Sequence, residues 1–107
     1  MIVHFDEQLA ILRIAGDEDR ATSGRRRRPL SAALKATRDV IVDLSELRFA
    51  DASVMIDLAC LAQRLRAQDR MLWLSGAPPN IRTLIETVGL HRLPAVRLDG
   101  QRPAHVH

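Results

Sequence analysis

Aromatic residues make up only 3% of this 107-residue chain, and there is no tyrosine. The core must therefore be aliphatic. There is one cysteine, Cys60, so an internal disulfide is excluded. That fits a reducing compartment, and a cytoplasmic location is expected. No apolar run approaches the roughly 20 residues of a membrane span. The first residues, MIVHFDEQ, lack a basic region followed by an apolar stretch, so no secretory signal is expected. Lysine is nearly absent too: the basic side chains are arginines apart from Lys35.

The rest of the composition is 47% apolar and 27% charged, as in a soluble globular protein of one domain. Net charge is +3. The arginine bias reads as a GC-rich coding preference. Four arginines are consecutive, Arg25 to Arg28. Neither an aromatic platform nor a nucleic-acid motif accompanies them, so they read as a solvated loop before a helix. No nucleic-acid partner is expected.

Apolar runs near residues 2–5 and 9–15 flank a short polar link and predict an antiparallel strand pair. Gly16 and the acidic trio Asp17, Glu18 and Asp19 should end it. Residues 17–28 are polar and read as the most mobile internal segment. PLSAALKAT reads as a short helix with Pro29 in its first turn and Leu30, Ala33 and Leu34 inward. Val40 to Leu44 is a continuous apolar strand, expected to be buried on both faces. SELRFAD connects it to the clearest helix, 52–68, where Val54, Leu58, Leu61 and Leu65 form one stripe. Asp51 is its N-cap candidate. MLWLSG is a further strand. A helix from Pro78–Pro79 should turn Ile81, Leu84, Ile85 and Val88 inward and end at Gly89 with positive φ. A last strand falls near 95–98, and residues 99–107 read as a disordered tail.

The order β-β-α-β-α-β-α-β implies an α/β fold: a small mixed sheet of four to five strands with helices packed against it. At the strand-to-helix mouth, residues 43–53, several chemistries can be weighed. A phosphate-binding loop needs glycines, and this turn has none. Ser53 is not in a nucleophile elbow, and Cys60 sits inside a helix, where a small apolar role suits it. Asp51 and Asp57 lie almost two turns apart and do not point at one centre. Asp43 reads as paired with a local backbone N–H, although it could neighbour Asp51 at the sheet edge. His105 and His107 are a weak metal pair. No catalytic set, cofactor or metal site is expected, and the chain reads as a non-enzyme.

The ordered set Asp43-Leu44-Ser45, Phe49, Asp51, Ser53, LWLSG, Gly89-Leu90 and Leu93 resembles the STAS domain family of bacterial anti-sigma factor antagonists. The likeness runs over residues 3 to 98, so residues 1–98 are taken as one STAS-like domain. It implies a mixed sheet with helices and no catalysis. It also implies capture of an anti-sigma factor that is a Ser/Thr kinase of the GHKL type, and so a part in sigma-factor and transcription regulation. In the family, the residue after the Asp is a serine that the kinase phosphorylates. Here it is Ala52, and the next serine is Ser53, the one candidate phosphorylation site left.

The partner surface is expected on the outer side of the helix from residue 52: Asp51, Ala52, Ser53, Ile56, Asp57, Cys60, Gln63 and Arg64. The alternative occupant is a membrane transporter of the ABC type, with this chain as its cytosolic accessory subunit. Either partner is a protein, with no membrane insertion by this chain. The oligomeric state is open, a homodimer included.

Overall fold

The computed structural model describes residues 3–99. The expected tail, all but Asp99, lies outside the described residues. Five strands form the main sheet in the order β1-β2-β4-β6-β7: β1 Val3–Asp6, β2 Ile11–Ile14, β4 Val40–Asp43, β6 Leu72–Ser75 and β7 Val96–Leu98. β1 runs antiparallel to β2, and every other pairing is parallel. This is the mixed α/β sheet expected. Two pieces were not legible beforehand. Gly16–Glu18 does not merely end the hairpin: it is a strand, β3. It pairs in parallel with β5, Leu47–Ala50, inside the stretch read as a plain connection.

Burial alternates along the strands of the main sheet. Leu12, Ile14, Val42, Leu72 and Leu74 are buried, whereas Ile41 and Trp73 are 38% and 43% exposed. The helices therefore cover one face of the sheet and leave the other open, which corrects the expected burial of Val40–Leu44 on both sides. A continuous apolar run cannot by itself tell two covered faces from one covered face and one apolar open face.

The largest correction concerns residues 17–28. A short 3-10 turn, Arg20–Thr22, leads into helix α1, Ser23–Lys35, which holds all four consecutive arginines and places Pro29 in its interior. Asp19 closes the turn with a reciprocal cap: its carboxylate accepts from the Thr22 N–H, and the Thr22 hydroxyl accepts from the Asp19 N–H. Pro29 removes one ladder donor, normally a large cost inside a helix. The compensation is tertiary. Arg26 and Ala33 are buried, and Leu30 and Leu34 pack partly against the core. At the far end, buried Arg70 donates to the carbonyls of Ala33, Leu34 and Arg38. The first two are orphan acceptors of the helix end, the third belongs to the connection that follows, and a cation satisfies helix-end carbonyls well. Burial pulls the Arg70 guanidinium below its ordinary value, and the charge of Asp39 offsets that only partly.

Helix α2, Ala52–Arg66, buries Val54, Leu58, Leu61 and Leu65 as the stripe predicts. Each such side chain is worth roughly 1.5–3 kcal/mol on removal from water. Helix α3, Pro79–Val88, starts on Pro79 and stops at Gly89, whose φ of 80° is left-handed. Ile81 and Ile85 are buried and Leu84 partly so, but Val88 is 47% exposed, contrary to its expected inward position. Gly76, at the end of β6, has φ +74°, and a Cβ there would meet the Ser45 Cβ at 3.0 Å. The turn after β4 therefore closes against a backbone that only glycine fits. No helix among the described residues is long and apolar enough to cross a membrane.

Candidate functional site

The mouth of α2 is set by Asp51. Its backbone is extended, and its Oδ1 accepts from the Ser53 N–H at 2.9 Å, as the N-cap reading requires. The same oxygen accepts from the Ser53 hydroxyl. Oδ2 accepts from the Arg20 N–H at 3.1 Å, which ties α2 to the turn before α1. The hydrogen bond from the Ser53 hydroxyl outweighs the opposing effect of burial and holds the Asp51 carboxyl below its ordinary range. The Arg20 and Ser53 N–H groups and the charge of Arg26 add to that effect.

Ser53 is also an acceptor. Its hydroxyl receives a hydrogen bond from Arg26 Nη2 at 3.2 Å. Arg26 is 1% exposed and is the centre of the arrangement. Its Nε donates to Asp57 at 2.7 Å, and its Nη1 donates to Glu18 at 2.8 Å and to the Asp19 carbonyl at 3.1 Å. Glu18 is fully buried. It also accepts from the Thr22 hydroxyl, and Arg25 Nη2 stands 3.0 Å from its other oxygen. Burial alone would pull the Arg26 guanidinium down. The hydrogen bonds and charges of Asp57 and Glu18 more than reverse it, and it sits above its ordinary value. A guanidinium suits this position because its planar fork serves several acceptors at once.

Asp43 lies in a separate cluster on the open face of the sheet. It accepts from the Ser45 N–H at 3.0 Å, from the Ser45 hydroxyl, and from Arg13 Nε at 3.0 Å. The local backbone pairing expected for it is present, and its partners are not those of Asp51. The Asp43 carboxyl is held below its usual range: burial opposes this, and the Ser45 and Arg13 hydrogen bonds outweigh it.

The eight expected docking residues divide by side. Asp51, Ser53 and Asp57 line the cleft toward α1, and Arg64 stands beside Asp57 on that flank. There the neighbouring segment does pack against α2, as a helix and not as a loop. Cys60, Gln63 and Arg64 are exposed. Ala52 and Ile56 reach round to the opposite flank. With Met55, Ala59, Val88 and Leu93 they line a small apolar groove of about 200 Å³ between α2 and the end of α3. Ile56 is 60% exposed and Val88 47%. The idea that Asp51 and Asp57 share no centre needs correction: Arg26 bonds Asp57 directly and reaches Asp51 through Ser53.

The roles of Arg26 and Glu18 escaped the sequence reading, and Val88 was expected to face inward. A signal for Arg26 existed: residues 26, 30 and 33 fall at i, i+4 and i+7, which places that arginine on the inward stripe. Nothing local marks Glu18 as a buried partner.

Chemically, α2 itself brings one hydroxyl to its mouth, that of Ser53, while Ser23 of α1 lines the same cleft. The Ser53 hydroxyl donates to a carboxylate and accepts from an arginine, so its hydrogen-bonding capacity is largely used. Ala52 is exposed and presents only a methyl group. Among the described residues, no group of three or more His, Cys, Asp or Glu side chains is arranged to hold a metal ion.

No curated protein matches the chain. A family model described as Mlab, STAS domain, matches residues 1–98, nearly the whole length. With its mixed sheet, its Asp-capped second helix and this match, the chain belongs to the STAS domain family.

Proposed function

We propose that this chain is a non-enzymatic docking module of the anti-sigma-antagonist type. Its partner surface is the outer face of α2, from Ala52 through Ile56 to Cys60 and Gln63, extended by the groove against Val88. One observation carries the reading. Ile56, a large aliphatic on the outer side of α2, is more than half exposed, with an apolar groove on one flank and the polar side chains of Arg20, Ser53 and Asp57 on the other. An apolar centre with a polar rim is what a protein interface requires. A kinase-type anti-sigma factor is the occupant that the antagonist pattern implies.

A second reading is favoured by Ala52. An antagonist released by its kinase needs an acceptor hydroxyl at the helix mouth. Position 52 has none, and the Ser53 hydroxyl is bonded on both sides. A phosphate on Ser53 would bring nearly two negative charges beside Asp51 and Asp57, with Arg26 already shared with Glu18. A lasting contact, as in an accessory subunit bound to the ATPase of an ABC-type transporter, fits this mouth better than a cyclic one.

The test uses purified candidates of both kinds, a GHKL-type kinase and a transporter ATPase subunit. Co-elution is measured with the native chain and with Ile56→Asp. Binding to one candidate that Ile56→Asp abolishes supports the docking face. Binding that Ile56→Asp leaves intact sinks it. In parallel, intact mass after incubation with kinase and ATP should show no phosphate on residue 52 and little on Ser53. Stoichiometric phosphate on Ser53 would reinstate the antagonist cycle.

A further inference from the structure

The open face of the main sheet carries its own apolar patch, on the far side of the sheet from α2. The register of the strands aligns one row of side chains straight across it: Asp6, Ile11, Ile41, Trp73 and Arg97 on β1, β2, β4, β6 and β7. Leu9, 57% exposed in the preceding turn, and Ile41 and Trp73 line one shallow depression there. Three of the large exposed aliphatic or aromatic side chains therefore cluster away from the α2 surface.

We propose that this face pairs with the same face of a second copy, by a two-fold axis running along the strands and passing between the two Ile41 residues. The argument is the order of charges in the row. It has an acidic end, Asp6, an apolar middle, and a basic end, Arg97. A two-fold axis along the strands stacks the row on its own reverse. Arg97 then meets Asp6 of the other copy, Trp73 meets Ile11, and Ile41 meets Ile41. An axis across the strands would set like charges against each other. The row is self-complementary in one sense only, which is the property a two-fold isologous contact needs.

Asp39 and Asp43, two residues either side of Ile41, also lie near the axis, and both are partnered within each chain: Asp43 by Arg13 and Ser45, Asp39 by the Met71 N–H and the Trp73 indole N–H. Stacked sheets lie roughly 10 Å apart, a distance that these side chains span. Five strands at about 4.8 Å make a face roughly 24 Å wide. Four-residue strands make it short, so it falls below the roughly 800 Å² per partner of a standard interface. The pairing is a weak one that needs concentration.

The experiment is sedimentation of the full chain over a concentration range on the order of a thousandfold, with emission from Trp73, the one tryptophan, read in parallel. The expected result is a monomer when dilute and a dimer when concentrated, with Trp73 emission moving to the blue as the dimer forms. Trp73→Glu should keep the native circular dichroism and remain monomeric throughout. Arg97→Glu, a second exposed site, should weaken pairing at least tenfold. In a Cys60→Ser background, Ile41→Cys should be linked by a short bismaleimide, and Lys35→Cys, on α1, should not. Three results would overturn the proposal. The chain could stay monomeric at every concentration. Trp73 could already emit as buried when dilute, because other residues of the same chain cover it. Or a dimer could form that ignores both Trp73→Glu and Arg97→Glu, and so uses another face.

Discussion

The two flanks of α2 are built from opposite materials. Toward α1, the helix meets a buried arginine held by Glu18, Asp57 and Ser53. Toward α3, it leaves Ala52 and Ile56 bordering an open apolar groove. The first flank is a cleft lined by the chain's own bonded charges, and among the described residues nothing covers the groove on the second. A visitor on the α1 side would have to break a network in which removal of one partner strands another charge. A visitor on the α3 side would only remove apolar surface from water. Exposed charge near the mouth of α2 is therefore a poor guide to the docking point, and exposed aliphatic area is a better one.

The comparison can be broken most severely at Arg26. Arg26→Ala leaves Glu18 fully buried without its main cation, and breaking a buried pair costs about 3–5 kcal/mol. Total stability of a domain is only about 5–15 kcal/mol, so the urea midpoint should fall steeply. Replacing both partners, as Arg26→Met with Glu18→Leu, should recover much of the loss, because no buried charge is then orphaned. A midpoint unmoved by Arg26→Ala would show that the closed flank is not closed by this network.

Ile56→Asp tests the other flank and should give the reverse pattern. Stability should change by no more than about 0.5 kcal/mol, as at an exposed site. Partner affinity should drop at least about tenfold, which is about 1.4 kcal/mol, measured by titration calorimetry. Ser53→Ala removes one acceptor from Arg26 and one donor to Asp51. It should cost about 1 kcal/mol of stability and leave partner binding unchanged.

Acid titration sharpens the picture through Asp51 and Asp43. Both carboxyls sit below their ordinary value in the folded chain. Such groups bind protons more weakly folded than unfolded, so their contribution is whole above the unfolded value of about 3.9. It is lost as pH falls through the lower folded value. Asp51→Asn and Asp43→Asn should each flatten the decline of the unfolding midpoint between neutral and acid pH. The smallest effect is expected from Ala52→Ser, which restores the missing hydroxyl at an exposed position and should shift stability by less than about 0.5 kcal/mol. Its value is diagnostic: a cognate kinase, if the partner is one, should then label residue 52 in intact mass.

The sequence by itself determined the elements with strong local signals. The stripe of α2, the Asp51 cap, the Pro79 start and Gly89 stop of α3, and the apolar strands all follow from periodicity and from the conformations that single residues permit. Those signals act within a few residues, and they are present in the unfolded chain. Only the tertiary structure decided the rest. A polar run with four arginines reads as a loop, and the proline after it as the start of a helix. The two together become α1 because Arg26 finds Glu18 and Asp57, while Arg70 caps its far end. Asp57 and Arg70 come from elements more than thirty residues away in the chain, and no local pattern records them. Which face of the sheet stays open, and which side of α2 stays free, were likewise settled by where the helices came to rest. A buried charge is tolerated only where folding delivers its partners, and the sequence records the residues but not their meeting.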